Sequence, residues 1–286
     1  LNDWNVMPNQ CDLLWKALEK YNVPRKMILH QGDHIYIHDL ENGNFNEIMH
    51  MWLDYWLYDI ENGAMEKIPS VLIQSNINQN QWHTSANWPA EKSELKKFDI
   101  GQVDTFVNFV DNLSATVYER EKVNMSEWLD ELVLSEQKDE SHFVRFVGDE
   151  LAEDVRISGR VQVSFKAAID KPTAILSAML VDYGEDNRML VKQEVTLEKG
   201  IQWGLNTPKA DMKRFIHEAE PSKYRVISRG WMNAQNRNSL WNKEKIEEGK
   251  FYEYTFTMIP MDYTVKAGHK IGVILYGTDT QATERP

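Results

Sequence analysis

Residues 11–34 have the sequence CDLLWKALEKYNVPRKMILHQGDH, in which a helical pattern precedes a short apolar run. Apolar side chains recur at the three- or four-residue spacing of one helix face, at Leu14, Leu18 and Tyr21. Pro24 restricts the residue before it to extended conformations, so the helix ends ahead of it. Met27-Ile28-Leu29 then favours a buried strand. A helix followed by a strand predicts one unit of an α/β sheet.

A stronger helical pattern covers residues 45–60. Its apolar residues are spaced three or four apart: Phe45, Ile48, Met49, Trp52, Leu53, Trp56, Leu57 and Ile60. Asn44 is the expected N-cap, with Glu47 three residues later as in a capping box. Asn62-Gly63 is typical of a helix C-terminus. We therefore predict that residues 1–68 contribute helices and a parallel strand to an α/β domain.

After Ile68 the sequence changes to short β-type runs separated by turn residues. The predicted strands are Val71–Ile73, Phe143–Val147, Val155–Ile169, Ala174–Val181, Leu190–Leu197, Phe251–Ile259 and Lys270–Tyr276. Residues alternate in Val161–Phe165 as in a strand with one buried face. Seven or more such runs predict a β-sandwich over residues 69–286. One helix is expected among them, Ser126–Leu134, with Ser126 as its N-cap.

The composition of the 286-residue chain excludes several classes of protein. Forty-four acidic and 32 basic residues give a formal charge of -12, which repels nucleic acid and anionic lipid. No run approaches the roughly 18 apolar residues of a membrane-spanning helix. Cys11 is the single cysteine, so no internal disulfide forms, and its apolar neighbours predict that it is buried. We therefore expect no nucleic-acid partner and no membrane partner.

The first residues of the chain are Leu1-Asn2-Asp3-Trp4-Asn5-Val6. They contain neither an initiator methionine nor the basic and apolar regions of a signal peptide. We expect the sequence to be a piece of a longer protein.

Three histidines lie four residues apart at His30, His34 and His38, with Asp33 and Asp39 among them. This pattern invites a metal site, but a glycine and two isoleucines in the segment disfavour a helix. In an extended chain, residues four apart are separated by about 13 Å, which is too far to bind one ion. We therefore expect no metal and no cofactor.

Asp3 and His34 are candidates for a catalytic pair. If residues 1–2 end one strand and residues 26–30 form the next, with a helix between them, the strands are parallel neighbours about 4.8 Å apart. Both side chains then follow the carboxyl ends of adjacent strands, where open α/β sheets place their sites. The carboxylate would orient the imidazole and stabilise its protonated form. On spacing alone, a surface aspartate and a loop histidine are the alternative, and His30 is a competing base.

Several segments resemble those of the Xaa-Pro dipeptidyl-peptidases, which are serine hydrolases of the cocaine-esterase-like α/β-hydrolase family. The similar segments are Leu1–Val6, Leu29–His34, Pro69–Ile73 followed by Trp82 and Trp88-Pro89, Asp154–Gly159 and Ala267–Ile271. They span nearly the whole chain. The aspartate segment, the histidine segment and Ala267–Lys270 are the most specific.

The resemblance implies that Asp3 and His34 are the acid and base of a charge-relay triad. It also implies an α/β-hydrolase remnant, the carboxyl-terminal part of the catalytic domain, at residues 1–68. An all-β, jelly-roll-like sandwich would follow at residues 69–286. The substrates would be peptides with proline at the second position, cleaved in the bacterial cytoplasm. The missing amino-terminal part of the same protein and a second copy, as a homodimer, are the implied partners.

The chain lacks a serine nucleophile in the expected motif. A Gly-x-Ser-x-Gly elbow needs glycines four apart, and the only two such pairs are centred on Gln202 and Lys270. The nucleophile is therefore expected outside this sequence, and residues 1–286 alone should hydrolyse nothing.

Two alternatives are open at this point. A related esterase or acylase of the same family would share Asp3, His34 and the sandwich. A non-catalytic carbohydrate-binding sandwich would instead use exposed tryptophans as stacking platforms. The candidates lie in polar, turn-rich segments: Trp82, Trp88, Trp203, Trp231 and Trp241. Burial of these side chains is the competing expectation, because exposed aromatic patches are rare.

Overall fold

A computed structural model describes residues 1–4, 6–35, 45–90, 93–98, 106–111, 122–138, 141–193, 213–284 and 286. The α-helices in these ranges are α1 (Asn9–Lys20), α2 (Phe45–Tyr58), α3 (Ala64–Lys67) and α4 (Met125–Leu134). The first strands are β1 (Met27–Leu29), β2 (Val71–Gln74), β3 (Trp82–Ser85), β4 (Phe143–Glu150), β5 (Val155–Gly159), β6 (Gln162–Ala168) and β7 (Ile175–Asp186). The later strands are β8 (Met189–Gln193), β9 (Lys213–His217), β10 (Ser222–Asn233), β11 (Phe251–Thr257), β12 (Met261–Val265) and β13 (Lys270–Tyr276).

The chain divides into two compact units, and this division differs from the one predicted at residues 68/69. The first unit comprises Leu1–Ser93, Asp186–Ser222 and Asp262–Thr264; the second comprises Glu94–Glu185, Lys223–Met261 and Val265–Pro286. The cause is sheet pairing, because β1 and β2 bond to each other across residue 68. The local change in sequence character at that point does not reveal this pairing.

The first unit contains the α/β elements. β1 and β2 are parallel, with Met27 opposite Val71, and β3 is antiparallel to β2. A parallel pair requires a crossover connection, and α2 and α3 lie between β1 and β2 in the chain. The buried cluster of this part consists of Trp15, Leu29, Val71, Ile73 and Trp88. The predicted helix and strand of residues 11–29 are therefore both present.

Helix α1 buries a different face from the one that its leucines predict. Leu14 is 60% exposed, whereas Asp12 and Trp15 are buried. The Oδ1 atom of the buried Asp12 accepts a hydrogen bond from the indole of Trp88 at 3.0 Å, and its Oδ2 lies 3.2 Å from Nζ of Lys16. Cys11 is exposed, and the prediction that it is buried is wrong. The polar anchoring of α1 explains both differences.

Helix α2 confirms the predicted helix, but only its beginning is buried. Phe45 is 3% exposed and packs with Met189 of β8 and Phe215 of β9, which form an antiparallel pair. Farther along, Trp56 is 45% exposed and Leu57 is 68% exposed. The predicted N-cap of this helix, residue 44, lies outside the described residues.

Antiparallel strands dominate the second unit. Its largest sheet has the strand order β10-β7-β13-β4, and β11 pairs with β6. Helix α4 packs its apolar side into a core that contains Trp128, Leu132, Val133, Phe143, Met179, Val181, Val226, Ile274 and Tyr276. The strand-rich character predicted for this region is confirmed.

Two local predictions in this region are wrong. The strand predicted over Val155–Ile169 is two strands, because β5 ends at Gly159, whose φ of 100° favours glycine and turns the chain. The N-cap of α4 is Asn124 rather than Ser126, and its side chain accepts from the backbone N–H groups of Ser126 and Glu127. Among the described residues, no helix is long and apolar enough to cross a membrane.

Candidate active site

Asp3 and His34 are in contact. The Oδ2 atom of Asp3 lies 2.9 Å from Nδ1 of His34. The imidazole side chain is 62% exposed, whereas that of Asp3 is 18% exposed. The contact therefore has a shielded carboxylate and an accessible ring, with Nε2 on the side of the ring away from the Nδ1 contact.

The backbone next to Asp3 holds its carboxylate in position. The Oδ1 atom accepts a hydrogen bond from the backbone N–H of Val6 at 2.8 Å. The Asn2 N–H donates to the carbonyl of Gly32 at 3.2 Å, so the segment before Asp3 lies beside the segment that follows β1. The two segments are neighbours as expected, but residues 1–4 do not form the strand on which that expectation was based.

His30 lies in surroundings that do not suit a base. Its Nδ1 accepts a hydrogen bond from the Gly32 N–H at 3.0 Å, which occupies one ring nitrogen. Burial lowers the pKa of His30 to about 3, so the ring is neutral near pH 7. Of the two competing histidines, His34 alone combines a carboxylate partner with an accessible ring.

Gly32 fits this turn because it has no side chain. A Cβ atom at this position would lie 2.5 Å from Cδ1 of Ile35 and 2.8 Å from Nδ1 of His30. Both distances are far shorter than ordinary van der Waals contacts. A larger residue would displace the side chains of Ile35 and His30, which lie on either side of His34 in the sequence.

The other candidate site residues do not join the pair. Asp33 is exposed, and residues 38 and 39 lie outside the described residues. Within the described part of the chain, no group of three or more histidine, cysteine, aspartate or glutamate side chains could hold a metal ion. Lys270 is the first residue of β13, while the glycine pair around Gln202 lies outside the described residues.

A second aspartate–histidine contact is present in the second unit. Nδ1 of His269 lies 2.7 Å from Oδ1 of Asp182, and both residues are buried. Gly184 leaves room for the ring, because a Cβ there would lie 2.3 Å from His269. This burial is typical of a histidine with a structural role.

The tryptophans proposed as stacking platforms have different surroundings. Trp88 is 4% exposed, whereas Trp82 and Trp231 are partly buried. Trp241 is 90% exposed, and residue 203 lies outside the described residues. Among the described tryptophans of that set, only Trp241 is open enough to stack freely on a ligand.

Sequence reasoning missed the buried amides around the pair. Gln31 and Gln74 are 7% and 1% exposed, respectively, and bond to each other. No signal in the sequence separates these glutamines from exposed ones, since glutamine is usually a surface residue.

The chain matches one protein family and several named relatives. Residues 62–286 match the family described as the X-Pro dipeptidyl-peptidase C-terminal non-catalytic domain. The chain is 31% identical over 302 residues to an Xaa-Pro dipeptidyl-peptidase of Pediococcus pentosaceus, covering 100% of this chain and 37% of the relative. It is 30% identical over 297 residues to one of Lactiplantibacillus plantarum, covering 100% and 36%. The chain thus spans little more than a third of these relatives.

Two solved structures resemble this one in fold. An aminopeptidase from a marine sediment archaeon, Thaumarchaeota archaeon, has a TM-score of 0.64 at 16% identity, covering 96% of this chain and 46% of that chain. An α-amino acid ester hydrolase has a TM-score of 0.58 at 14% identity, covering 95% and 46%. At these identities the likeness concerns the fold alone.

The family match and the contact of Asp3 with His34 lie in different parts of the sequence. The match begins at residue 62, so the pair precedes the region described as non-catalytic, whereas the alignments with the two relatives cover the whole chain. From residue 62 onward, this chain belongs to the family of X-Pro dipeptidyl-peptidase C-terminal non-catalytic domains.

Proposed function

We propose that this chain is part of a serine-type dipeptidyl-peptidase that releases Xaa-Pro dipeptides from peptide amino termini. Asp3 is the acid and His34 the base of its charge relay, and the serine nucleophile lies outside this sequence. The observation that carries the proposal is the 2.9 Å contact between Asp3 Oδ2 and His34 Nδ1. The names of the relatives supply the substrate class.

The chemistry follows from the two ring nitrogens of His34. The Asp3 carboxylate accepts a hydrogen bond from Nδ1–H of His34, so Nε2 is the unprotonated ring nitrogen that takes the proton of the serine hydroxyl. The serine Oγ bonds to the prolyl carbonyl carbon, and the negative charge of Asp3 stabilises the imidazolium. The bond to the leaving nitrogen then breaks as His34 returns the proton to that nitrogen. Water repeats the sequence on the acyl-enzyme and releases the dipeptide.

Cleavage of Ala-Pro-p-nitroanilide by the longer protein that contains this chain tests the base. His34→Ala should abolish the activity with the fold intact, because it removes the base that takes the serine proton. Asp3→Asn should lower kcat by about 10⁴, because the amide favours the wrong ring tautomer. His217→Ala, at an exposed histidine of β9, is the matched control and should retain full activity. Activity retained by His34→Ala would reject the assignment.

The substrate class needs its own measurement. A related esterase or acylase would use the same pair, so a panel of Xaa-Pro amides and simple esters separates the two activities. We expect hydrolysis of the Xaa-Pro amides. Hydrolysis of esters alone would assign the chain to the alternative enzyme.

We also propose three finer features of the protein. The antiparallel strands of the second unit form a jelly-roll-like sandwich, supported by the sheet order β10-β7-β13-β4 and the pair β11-β6. The protein acts in the cytoplasm as a homodimer, as the family resemblance implies. Cell fractionation and sedimentation of the longer protein test the last two features, and a secreted or monomeric protein would contradict them.

A further inference from the structure

Gln31 connects the His34 turn to a neighbouring strand. Its backbone N–H donates to Oε1 of Gln74, the last residue of β2, at 3.0 Å. Its side-chain Nε2 donates to the carbonyl oxygens of Gln74 and Asp262, also at 3.0 Å in each case. Gln31 and Gln74 are buried, so these bonds are not exchanged for bonds with water. The chain three residues before His34 is thus fixed on one side by β2.

The carbonyl side of Gln31 is fixed by the segment that carries Asp3. The Gln31 carbonyl accepts a hydrogen bond from Nδ2 of Asn2 at 2.6 Å, and Asn2 precedes Asp3 directly. The side chain of Gln74 is itself held, since its Nε2 donates to the carbonyl of Gln79 at 3.0 Å. A continuous series of hydrogen bonds therefore leads from β2 through Gln31 to the two segments that bear the pair.

We infer that Gln74 is a positioning residue for the Asp3–His34 pair, and that Gln31 transmits its effect. This inference rests on the proposed function. Gln74 and Asp262 both lie within residues 62–286, the region whose family is described as non-catalytic. That region therefore sets the geometry of the charge relay, although it contributes neither the acid nor the base.

The pair tolerates little movement. A hydrogen bond between a ring nitrogen and a carboxylate is effective only between about 2.7 and 3.2 Å. Loss of the Gln74 acceptor would leave the buried N–H of Gln31 without a partner, and the backbone would shift to satisfy it. A displacement of about 1 Å at catalytic groups can lower a rate about 100-fold.

Nitrogen NMR of the His34 ring in this chain tests the geometry without any need for activity. The wild type should show the Nδ1–H tautomer at neutral pH, held by Asp3. Gln74→Met removes the acceptor for the Gln31 backbone, and Gln31→Met removes only the two side-chain donors. Both should shift the ring nitrogens toward the values of a free histidine, with circular dichroism unchanged.

Lys26→Met is the matched control at the opposite end of β1. Its Nζ donates to the carbonyls of Met65 at 2.8 Å and Ile68 at 2.6 Å, so its loss removes an anchor of β1 far along the strand from His34. The His34 signals should stay unchanged in this variant. Equal shifts in all three variants would mean a general loss of stability and would overturn the inference, as would unchanged signals in both glutamine variants.

Kinetics of the longer protein separate this inference from the proposed function. Gln74→Met should lower kcat on Ala-Pro-p-nitroanilide by about 100-fold with KM unchanged. If His34→Ala abolishes activity but Gln74→Met retains full kcat, only the positioning role fails. If His34→Ala retains activity, the proposed function fails.

Discussion

His30 lies four residues before His34, but its side chain is largely shielded from solvent, whereas that of His34 is 62% exposed. Burial lowers the pKa of His30 to about 3, whereas a histidine in an unfolded chain has a pKa of about 6.5. Between these two pH values, the unfolded chain binds a proton that the folded chain does not. Folding stability therefore falls as the pH is lowered from about 6.5 toward 3.

The size of this effect follows from the pKa difference. One pH unit corresponds to about 1.4 kcal/mol for one proton, so the free energy of unfolding should fall by about 2 kcal/mol between pH 6.5 and 5 through His30. Urea denaturation at the two pH values measures the change. His30→Gln keeps an acceptor for the Gly32 N–H but does not titrate, so its stability should depend less on pH. The same pH dependence in both proteins would contradict the role of His30.

Two buried tyrosines offer a matched test of hydroxyl burial. Tyr254 is 0% exposed, and its hydroxyl has no hydrogen-bond partner within the described part of the chain. Tyr276 is 2% exposed and donates to Oδ2 of Asp279 at 2.6 Å. A buried hydroxyl without a partner is unfavourable, whereas a hydrogen bond to a carboxylate is strongly stabilising.

The two tyrosines should therefore respond differently to the same substitution. Tyr254→Phe should leave the free energy of unfolding unchanged or raise it by about 1 kcal/mol, while Tyr276→Phe should lower it by about 2 kcal/mol. Urea unfolding of the two variants gives the comparison directly. A larger loss of stability in Tyr254→Phe than in Tyr276→Phe would show that the Tyr254 hydroxyl has a partner.

At the scale of elements, the packing of His269 against β7 depends on a glycine. The buried ring of His269, just before β13, occupies the space beside Gly184 of β7, where a Cβ would lie 2.3 Å from the ring. The same ring bonds to Asp182 at 2.7 Å. Gly184→Ala should expel the ring, break this contact and lower the free energy of unfolding by about 2–3 kcal/mol.

Gly148→Ala is the control for this substitution. Gly148 lies in β4 of the same sheet, and a Cβ there would meet its nearest neighbour, the Ile271 carbonyl, at 3.4 Å. Alanine should be accommodated with a change of less than about 0.5 kcal/mol. Thermal unfolding of both variants measures the difference. Similar losses would mean that the extra methyl group, rather than the displaced ring, matters.

Elements with a clear period could be predicted from the sequence. The bounds of β13 match the predicted Lys270–Tyr276, and α4 differs from its prediction by one residue. Strand β10 was not predicted, because its buried residues include Ser228 and Arg229, which are polar. Such residues are buried only when partners elsewhere in the chain satisfy them, and local pattern does not reveal those partners. The burial of Gln31 and Gln74 near the pair could not be predicted for the same reason.

At the scale of the whole molecule, the first unit exposes unusual apolar surface. Leu14 and Tyr21 of the α1 region and Leu57 and Tyr58 of α2 are each at least 60% exposed. A helix of a globular protein normally buries such an apolar side. The chain spans about 37% of the length of its Pediococcus pentosaceus relative. Under the proposed function, parts of the longer protein outside this chain cover these helices.

A lysine at Leu57 tests whether the rest of the longer protein covers α2. In this chain alone, Leu57→Lys should change the free energy of unfolding by less than about 0.5 kcal/mol, because the side chain is 68% exposed. In the longer protein it should lower stability by several kcal/mol, because the charge would be buried without a partner. Leu240→Lys, at a residue 86% exposed in the second unit, is the matched control and should be tolerated in both proteins. Equal tolerance of the two lysines in the longer protein would mean that α2 is exposed there too, and that its apolar side has a different role.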